Sequence, residues 1–239
     1  MTSTAVMILA AVAPAVILAL MMMRNDRGEP EPKSALLLSA SAGMVAAGLS
    51  IAAVYLTLPD FEVDTAAAVF VDAFCHAAIP EECFKLLMLY LIARFCESFN
   101  EYFDGIIYSV CIAMGFAAVE NVLYLFEAGS QWFVVGALRA LVSVPGHYFF
   151  AIIMGAYFSL TWFDTRHRVR NAFLALILPL MAHGIFDALL LSVPAVDYGS
   201  PVIFILFIIF YNRLRRYAAS LVAARLADDE ILPLPRRPQ

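Results

Sequence analysis

Apolar residues run through the chain in long stretches that contain few charges, and short polar connections separate these stretches. Each stretch is long enough to cross a bilayer as an α-helix, which takes about 20 residues. Helices are required there because the hydrocarbon core offers no partners for unpaired backbone groups. The pattern predicts an all-α, polytopic transmembrane bundle of about seven spans: 5–23, 34–58, 66–94, 105–127, 133–160, 171–191 and 199–217.

The two ends of the chain are predicted to differ. The first apolar run, 5–23, lacks the basic residues that precede a secretory signal and is followed by Arg24 and Arg27, which indicates a retained helix. The last residues, 228–239, are rich in Pro and charge and predict a disordered cytoplasmic tail. The prediction is a single transmembrane helical domain over 1–227, followed by the tail over 228–239.

Composition and charge support this class. The chain is 63% hydrophobic and 15% charged, and its net charge of -5 gives no sign of a nucleic-acid partner. The four cysteines show neither a paired framework nor CxxC spacing, so they are interpreted as small buried residues. With the amino terminus outside, every Lys and Arg of the connections and ends falls on the cytoplasmic side, as the positive-inside rule requires. The carboxyl terminus is therefore predicted to be cytoplasmic.

Ionisable residues occur within the predicted spans. A charge at the bilayer centre costs at least ~2.5–3.5 kcal/mol, so such residues are candidates for function. Those on four successive spans share nearly the same depth, which scattered structural residues have no reason to do. The candidates are Glu81, Glu82, Lys85, Glu120, Asn121, Arg139, His147, His183 and Asp187.

Spacing within the helices suggests how these groups pair. Lys85 follows Glu81 by four residues and Glu82 by three, so one ammonium can neutralise one carboxylate and leave the other to act. Asp187 follows His183 by four residues and is expected to orient the imidazole. The sequence therefore predicts an acid and histidine site rather than isolated charges.

Neighbouring polar residues are assigned different roles. Arg139 lies about two turns before His147, where it can balance Glu120 or hold a substrate carbonyl. His76 is predicted to be structural, because an α-helix would point it away from the glutamates, and Asp72 is expected to face water near the outer surface.

Proline and glycine mark irregular backbone and close packing. Prolines before the candidate residues free backbone carbonyls, which in lipid must meet protein or water, so a small hydrated cavity is expected. These prolines are Pro80, Pro145 and Pro179. Close helix packing is predicted at Gly43, Gly48, Gly115 and Gly155.

Four sequence segments resemble a known family. They are EECFK (81–85), GFAAVEN (115–121), the stretch 139–147 and HGIFD (183–187). In these segments the chain resembles the PrsW family of membrane proteases and, more distantly, the type II CAAX prenyl endopeptidase superfamily. The resemblance implies a multi-pass protease of the bacterial cytoplasmic membrane with a membrane-anchored protein substrate, such as an anti-sigma factor. It also implies that Glu81, Glu82, His147 and His183 correspond most directly to the catalytic set.

The favoured hypothesis is peptide hydrolysis by a water that Glu82 or Glu81 activates. His147 and His183 would hold the water and stabilise the oxyanion, with Asn121 as a further donor. No cofactor is required by this scheme.

Two other functions stay open on the sequence. The first is a zinc-dependent protease in which Glu82, His147, His183 and Asp187 bind the metal. The second is an ion-coupled transporter, although the odd number of spans and the missing internal repeat fit poorly with that class. A structural role, in which each group serves an ion pair or an interhelical hydrogen bond, is the alternative to any function.

Overall fold

The structure is a computed structural model that describes residues 4–26, 29–58, 65–195 and 200–231. Within these ranges the regular structure is helical, as predicted. The α-helices are α1 (Thr4–Met23), α2 (Lys33–Thr57), α3 (Ala66–Val71), α4 (Ile79–Phe95), α5 (Asp104–Glu127), α6 (Trp132–Leu138), α7 (Val144–Phe163), α8 (Arg168–Ala195) and α9 (Ser200–Ile231). Two π-helices, π1 (Asp72–Ala78) and π2 (Arg139–Ser143), precede α4 and α7, and short 3-10 turns cover Gly129–Gln131 and Thr165–His167.

Five helical stretches are long and apolar enough to cross a membrane. They are Thr4–Met23, Lys33–Thr57, Asp104–Glu127, Gly129–Phe163 and Thr165–Ser192. The stretch through α4 carries Glu81, Glu82 and Lys85, and α9 carries several arginines, so composition alone does not mark these two as spans. The membrane-spanning helical class is thus confirmed, whereas the count of seven spans and the orientation of the termini stay predictions.

The third and fifth predicted spans are each interrupted by a π-helix. The third consists of α3, π1 and α4, and the fifth of α6, π2 and α7. Pro80 and Pro145 lie in the first turns of α4 and α7, where a missing backbone N–H is tolerated. The carbonyl of Leu141, four residues before Pro145, accepts a hydrogen bond from the Tyr211 hydroxyl of α9 at 3.4 Å. Protein therefore meets this freed carbonyl.

α5 is the central helix and packs against α1, α2, α4 and α7. A Cβ atom added to Gly43 would collide with the carbonyl of Ile112, and one added to Gly115 with the carbonyl of Ala40. Gly155 of α7 is equally close to the backbone of α5. These three glycines are close-packing points, as predicted, but the prediction was wrong for Gly48, whose Cβ would have nothing within 4 Å.

The carboxyl end of α9 is helical to Ile231, so residues 228–231 differ from the predicted tail. They are ordered because the Asp229 carboxylate accepts hydrogen bonds from the backbone N–H groups of Tyr102 and Phe103, at 2.7 and 2.9 Å, just before α5. The remainder of the predicted tail, 232–239, lies outside the described residues, as do 59–64 and Asp197, which fall in the predicted connections between spans.

Candidate active site

Lys85 of α4 is the centre of a buried polar cluster. Its ammonium donates hydrogen bonds to Glu81 Oε2 at 3.0 Å, to Glu82 Oε1 at 2.9 Å and to His147 Nδ1 at 3.2 Å. All four residues are buried. The sequence predicted that Lys85 would neutralise one glutamate and leave the other, whereas the structure has it shared between both.

His183 of α8 joins the same cluster. Its Nδ1 lies 2.9 Å from Glu82 Oε1, and its Nε2 lies 3.1 Å from Asp187 Oδ2 and 3.9 Å from Glu81 Oε2. The contact with Asp187 is the one that the spacing predicts. Phe150 stacks on the imidazole with ring centroids 4.8 Å apart, so the ring is fixed both by its polar partners and by packing.

His147 of α7 links the cluster to a second group of charges. Its Nε2 lies 2.7 Å from Glu120 Oε2, which in turn accepts from the Arg139 guanidinium at 3.2 Å. Since Nε2 faces a carboxylate and Nδ1 faces an ammonium, the contacts fit the neutral tautomer that carries its proton on Nε2. Arg139 therefore balances Glu120, which was one of its two predicted roles.

Asn121 points away from the cluster, toward the amino-terminal helix. Its amide nitrogen donates to the carbonyl of Ala11 in α1 at 2.9 Å, and its amide oxygen accepts from Arg139 Nε at 2.6 Å. Asn121 is buried with both ends engaged, so the structure does not bring it to the position of an oxyanion donor. It instead extends the hydrogen-bonded network to a helix that the sequence did not connect with the site.

A cavity of about 730 Å³ opens beside the cluster. Its walls come from α2, π1, α5, π2, α7 and α8 together with Glu81 at the start of α4. The predicted site residues that line it are Glu81, Glu120, Arg139, His147, His183 and Asp187. Glu82, Lys85 and Asn121 lie behind this surface, so the nine predicted residues share one network but do not all face the cavity.

Asp72 and His76 also line the cavity, although neither was predicted to belong to the site. The prediction that His76 points away from Glu81 assumed α-helical geometry, in which five residues leave the two side chains about 140° apart. The backbone is π-helical from Asp72 to Ala78, and each π turn takes about one more residue, so five residues return to nearly the same face. No residue pattern in the chain reveals this local change of helix type.

Four of the buried side chains form a compact set of possible metal ligands. Glu81, Glu82, His147 and His183 each offer one ligand atom, and these atoms lie within 4.8 Å of one another. Two imidazoles and two carboxylates suit zinc, and Glu82 Oε2 is buried without a hydrogen-bond partner among the described residues. The donor set therefore fits a zinc ion, with Glu81 in the place where the sequence suggested Asp187.

Acids and imidazoles gathered beside a cavity in a bundle of membrane helices are typical of membrane-embedded hydrolases and of ion carriers. Comparison with known proteins decides between these two. Residues 31–212 match the family described as "PrsW family intramembrane metalloprotease". The chain belongs to this family, and it is accordingly a membrane-embedded protease rather than a transporter.

Several bacterial proteins named "Protease PrsW" are similar to the chain. The protein from Geobacillus kaustophilus is 34% identical over 186 residues, which cover 78% of this chain and 80% of the relative. That from Oceanobacillus iheyensis is 33% identical over 163 residues, or 68% and 73% of the two chains. That from Bacillus subtilis is 29% identical over 182 residues, or 76% and 81%. No solved structure matches the chain.

Proposed function

We propose that the protein is an endopeptidase that hydrolyses a peptide bond of a membrane-anchored protein within the cavity, with Glu81 as the general base. The observation that carries this proposal is the position of Glu81, which is the glutamate of the pair that lines the cavity. Glu82 is only 1% exposed and lies behind it. A base must be within reach of the water whose proton it takes, so Glu81 is the better placed of the two.

Glu82 and Lys85 are proposed to hold the site together. Glu82 Oε1 accepts from both Lys85 and the imidazole of His183, and Lys85 also contacts Glu81. The Lys85 ammonium holds the Glu81 carboxylate by a hydrogen bond at the cavity wall, where the carboxylate can accept a proton from water. Replacing Glu82 or Lys85 by a neutral residue would leave the other one buried without its charged partner. It would also displace Glu81, the proposed base.

His147 and His183 are proposed to stabilise the tetrahedral intermediate. Each imidazole lines the cavity and has a ring nitrogen beside a carboxylate, Glu120 for His147 and Asp187 for His183. As negative charge develops on the carbonyl oxygen of the substrate, an imidazole N–H group at this wall can donate a hydrogen bond to that oxygen. Glu120 and Asp187 then fix the orientation of the rings, in the way that carboxylates commonly orient histidines.

A zinc-dependent form of the same protease is the second candidate, favoured by the compact ligand set. Glu81, Glu82, His147 and His183 would hold the ion, which when bound would supply Lewis acidity. Lys85 contacts Glu81 Oε2, Glu82 Oε1 and His147 Nδ1, so a divalent ion bound through these atoms would have to share or displace its charge. This competition favours the metal-free scheme.

The activity is tested in cells that carry the wild-type protein or the variants Glu81→Gln and Glu82→Gln. New amino termini in the membrane proteome are labelled and sequenced, and uncut membrane-anchored proteins, with anti-sigma factors as one candidate class, are quantified. We expect cut sites that are present only with the wild type and a loss of at least 100-fold in Glu81→Gln, the scale of a missing general base. Identical cut sites in the wild type and in a folded, inserted Glu81→Gln protein would refute the proposal.

The metal question needs its own measurement on purified protein. Metal content and cleavage are followed before and after treatment with a chelator, for the wild type and for His183→Ala. The metal-free scheme predicts less than stoichiometric zinc and full activity after chelation. Stoichiometric zinc that is lost in His183→Ala, together with activity restored by added zinc, would establish the metalloprotease form instead.

A further inference from the structure

We propose that Asp72 forms a subsite of the cavity that selects a basic side chain of the substrate, and that His76 holds the Asp72 carboxylate in place. This inference rests on the proposed endopeptidase function and names one feature of its substrate. Asp72 is a specificity residue in this proposal, and His76 is a positioning residue.

The two residues form a hydrogen-bonded pair in the cavity wall. His76 Nδ1 lies 2.9 Å from Asp72 Oδ1, and the side chains are 19% and 31% exposed, respectively. Both residues line the same cavity as Glu81 and His183. The pair thus faces the space that a substrate must occupy when its peptide bond meets the catalytic groups.

The π-helix places the pair in line with the catalytic residues. The cavity-lining positions of this segment are Asp72, Ala73, His76, Ala77 and Glu81, a spacing of four to five residues per turn. The four-residue steps also keep one face of an α-helix, whereas the five-residue step from His76 to Glu81 is the one for which the π-helical turn is needed. A substrate chain that lies along this face therefore passes Asp72 about two turns before it reaches Glu81.

The charge of the cavity favours a cation at this point. The other acids that line it are Glu81, Glu120, Glu127 and Asp187, and its lining cation, Arg139, is already bound to Glu120 and Asn121. An entering Lys or Arg side chain loses hydration, and a carboxylate within reach offsets this cost. An entering acidic side chain would meet like charge, so the same wall disfavours it.

The pair has a close counterpart elsewhere in the chain that serves as a control. Asp164 and His167 also form an aspartate–histidine contact, at 3.2 Å, but they lie after α7 and do not line the cavity. The variant Asp164→Asn makes the same chemical change as Asp72→Asn without altering the cavity.

The experiment begins with a protein that the wild type cuts and Glu81→Gln does not, identified by amino-terminal labelling. The substrate residues of interest are those that lie along π1 when the cut peptide bond is at Glu81. Each Lys or Arg among them is replaced in turn by Gln and by Glu. Purified enzymes in liposomes then cleave this substrate panel, and kcat and KM are measured for the wild type, Asp72→Asn, Asp72→Lys, His76→Gln and Asp164→Asn.

One basic position of the substrate is expected to matter. Its replacement by Gln should lower kcat/KM of the wild type about tenfold, mainly through KM, and should have no effect on Asp72→Asn. Asp72→Lys should prefer the Glu substrate over the Lys substrate, a reversal that a structural role of Asp72 would not produce. His76→Gln should weaken the preference without reversing it, and Asp164→Asn should match the wild type.

Two results would overturn the inference while leaving the protease function intact. One is efficient cleavage with no dependence on any substrate cation. The other is a cation preference that is the same in the wild type, Asp72→Asn and Asp72→Lys. If no cut site depends on Glu81, the proposed function itself fails, and the subsite fails with it.

Discussion

At the residue scale, Lys85 balances the negative charge of the two buried glutamates of α4. Its ammonium contacts two carboxylates and an imidazole, and Phe116 covers it with the ring centroid 4.0 Å from Nζ. A buried carboxylate without a partner is costly, because the protein interior solvates charge poorly. Lys85 therefore balances the two adjacent glutamates of α4 together with His183, which lies 2.9 Å from Glu82 and 3.9 Å from Glu81.

Replacement of Lys85 by Met is expected to lower the free energy of unfolding by about 3–5 kcal/mol, the usual cost of breaking a buried ion pair from one side. It should also abolish cleavage. Thermal unfolding in detergent measures the first effect. Lys33→Met removes the same charge from an exposed position at the start of α2 and should unfold like the wild type. Equal stability of the two variants would contradict the central role of Lys85.

Much of the site could be predicted from side-chain spacing, because residues three or four apart share a helix face wherever the helix is regular. This holds for the contacts of Lys85 with Glu81 and Glu82 and for the contact of His183 with Asp187. Contacts between helices depend on rotation about the helix axis, which one sequence does not contain. For this reason the outward direction of Asn121 toward α1 could not be foreseen.

At the scale of elements, the main difference between the predicted and the observed helices is the presence of two π-helices, π1 and π2. The helical stretches followed from hydropathy and the clustering of the polar residues from their shared depth, but the direction of His76 was predicted from α-helical geometry. The extra residue per turn in π1 rotates Asp72 and His76 onto the cavity face. Pro80 and Pro145 indicated some irregularity at these places, yet proline alone does not specify its kind.

The packing of α2 on α5 is tested by a pair of glycine substitutions in one helix. Gly43→Ala puts a methyl group against the carbonyl of Ile112 and should destabilise the protein by about 1–3 kcal/mol, as overpacking does. Gly48→Ala has open space around it and should be neutral or slightly stabilising, since alanine favours helix more than glycine does. Thermal unfolding of both variants checks this, and a reversed order would show that α2 packs differently.

At the scale of the whole molecule, the carboxyl end of α9 is fastened to the start of α5. Asp229 accepts two backbone hydrogen bonds there, and Asp26, Glu101 and Glu230 line a small cavity beside it. Burial and nearby negative charge raise the pKa of the Glu101 carboxyl to about 7. The charges belong to Asp229, Glu29, Asp26 and Glu31.

This raised pKa of Glu101 predicts how stability changes with pH. A carboxyl whose pKa is higher in the folded state than the ordinary 4.5 stabilises the fold at low pH, and this contribution is lost as the pH rises through about 7. Glu101→Gln should therefore reduce the fall in unfolding temperature between pH 5 and about pH 8. Glu97→Gln, an exposed change in the same connection, should leave that fall unaltered. An unchanged pH profile in Glu101→Gln would contradict the assignment.

The hydrogen-bonded network that runs from Ala11 to Asp187 has a consequence for protein engineering. Most of its charged groups have a partner on another segment, so a substitution at one position disturbs several helices at once. Apolar positions of the cavity wall, such as Ile51, Leu123 and Leu190, lie outside this web of charges. Substitutions meant to change the substrate specificity should therefore be made first at these apolar positions, with the charged network left unchanged.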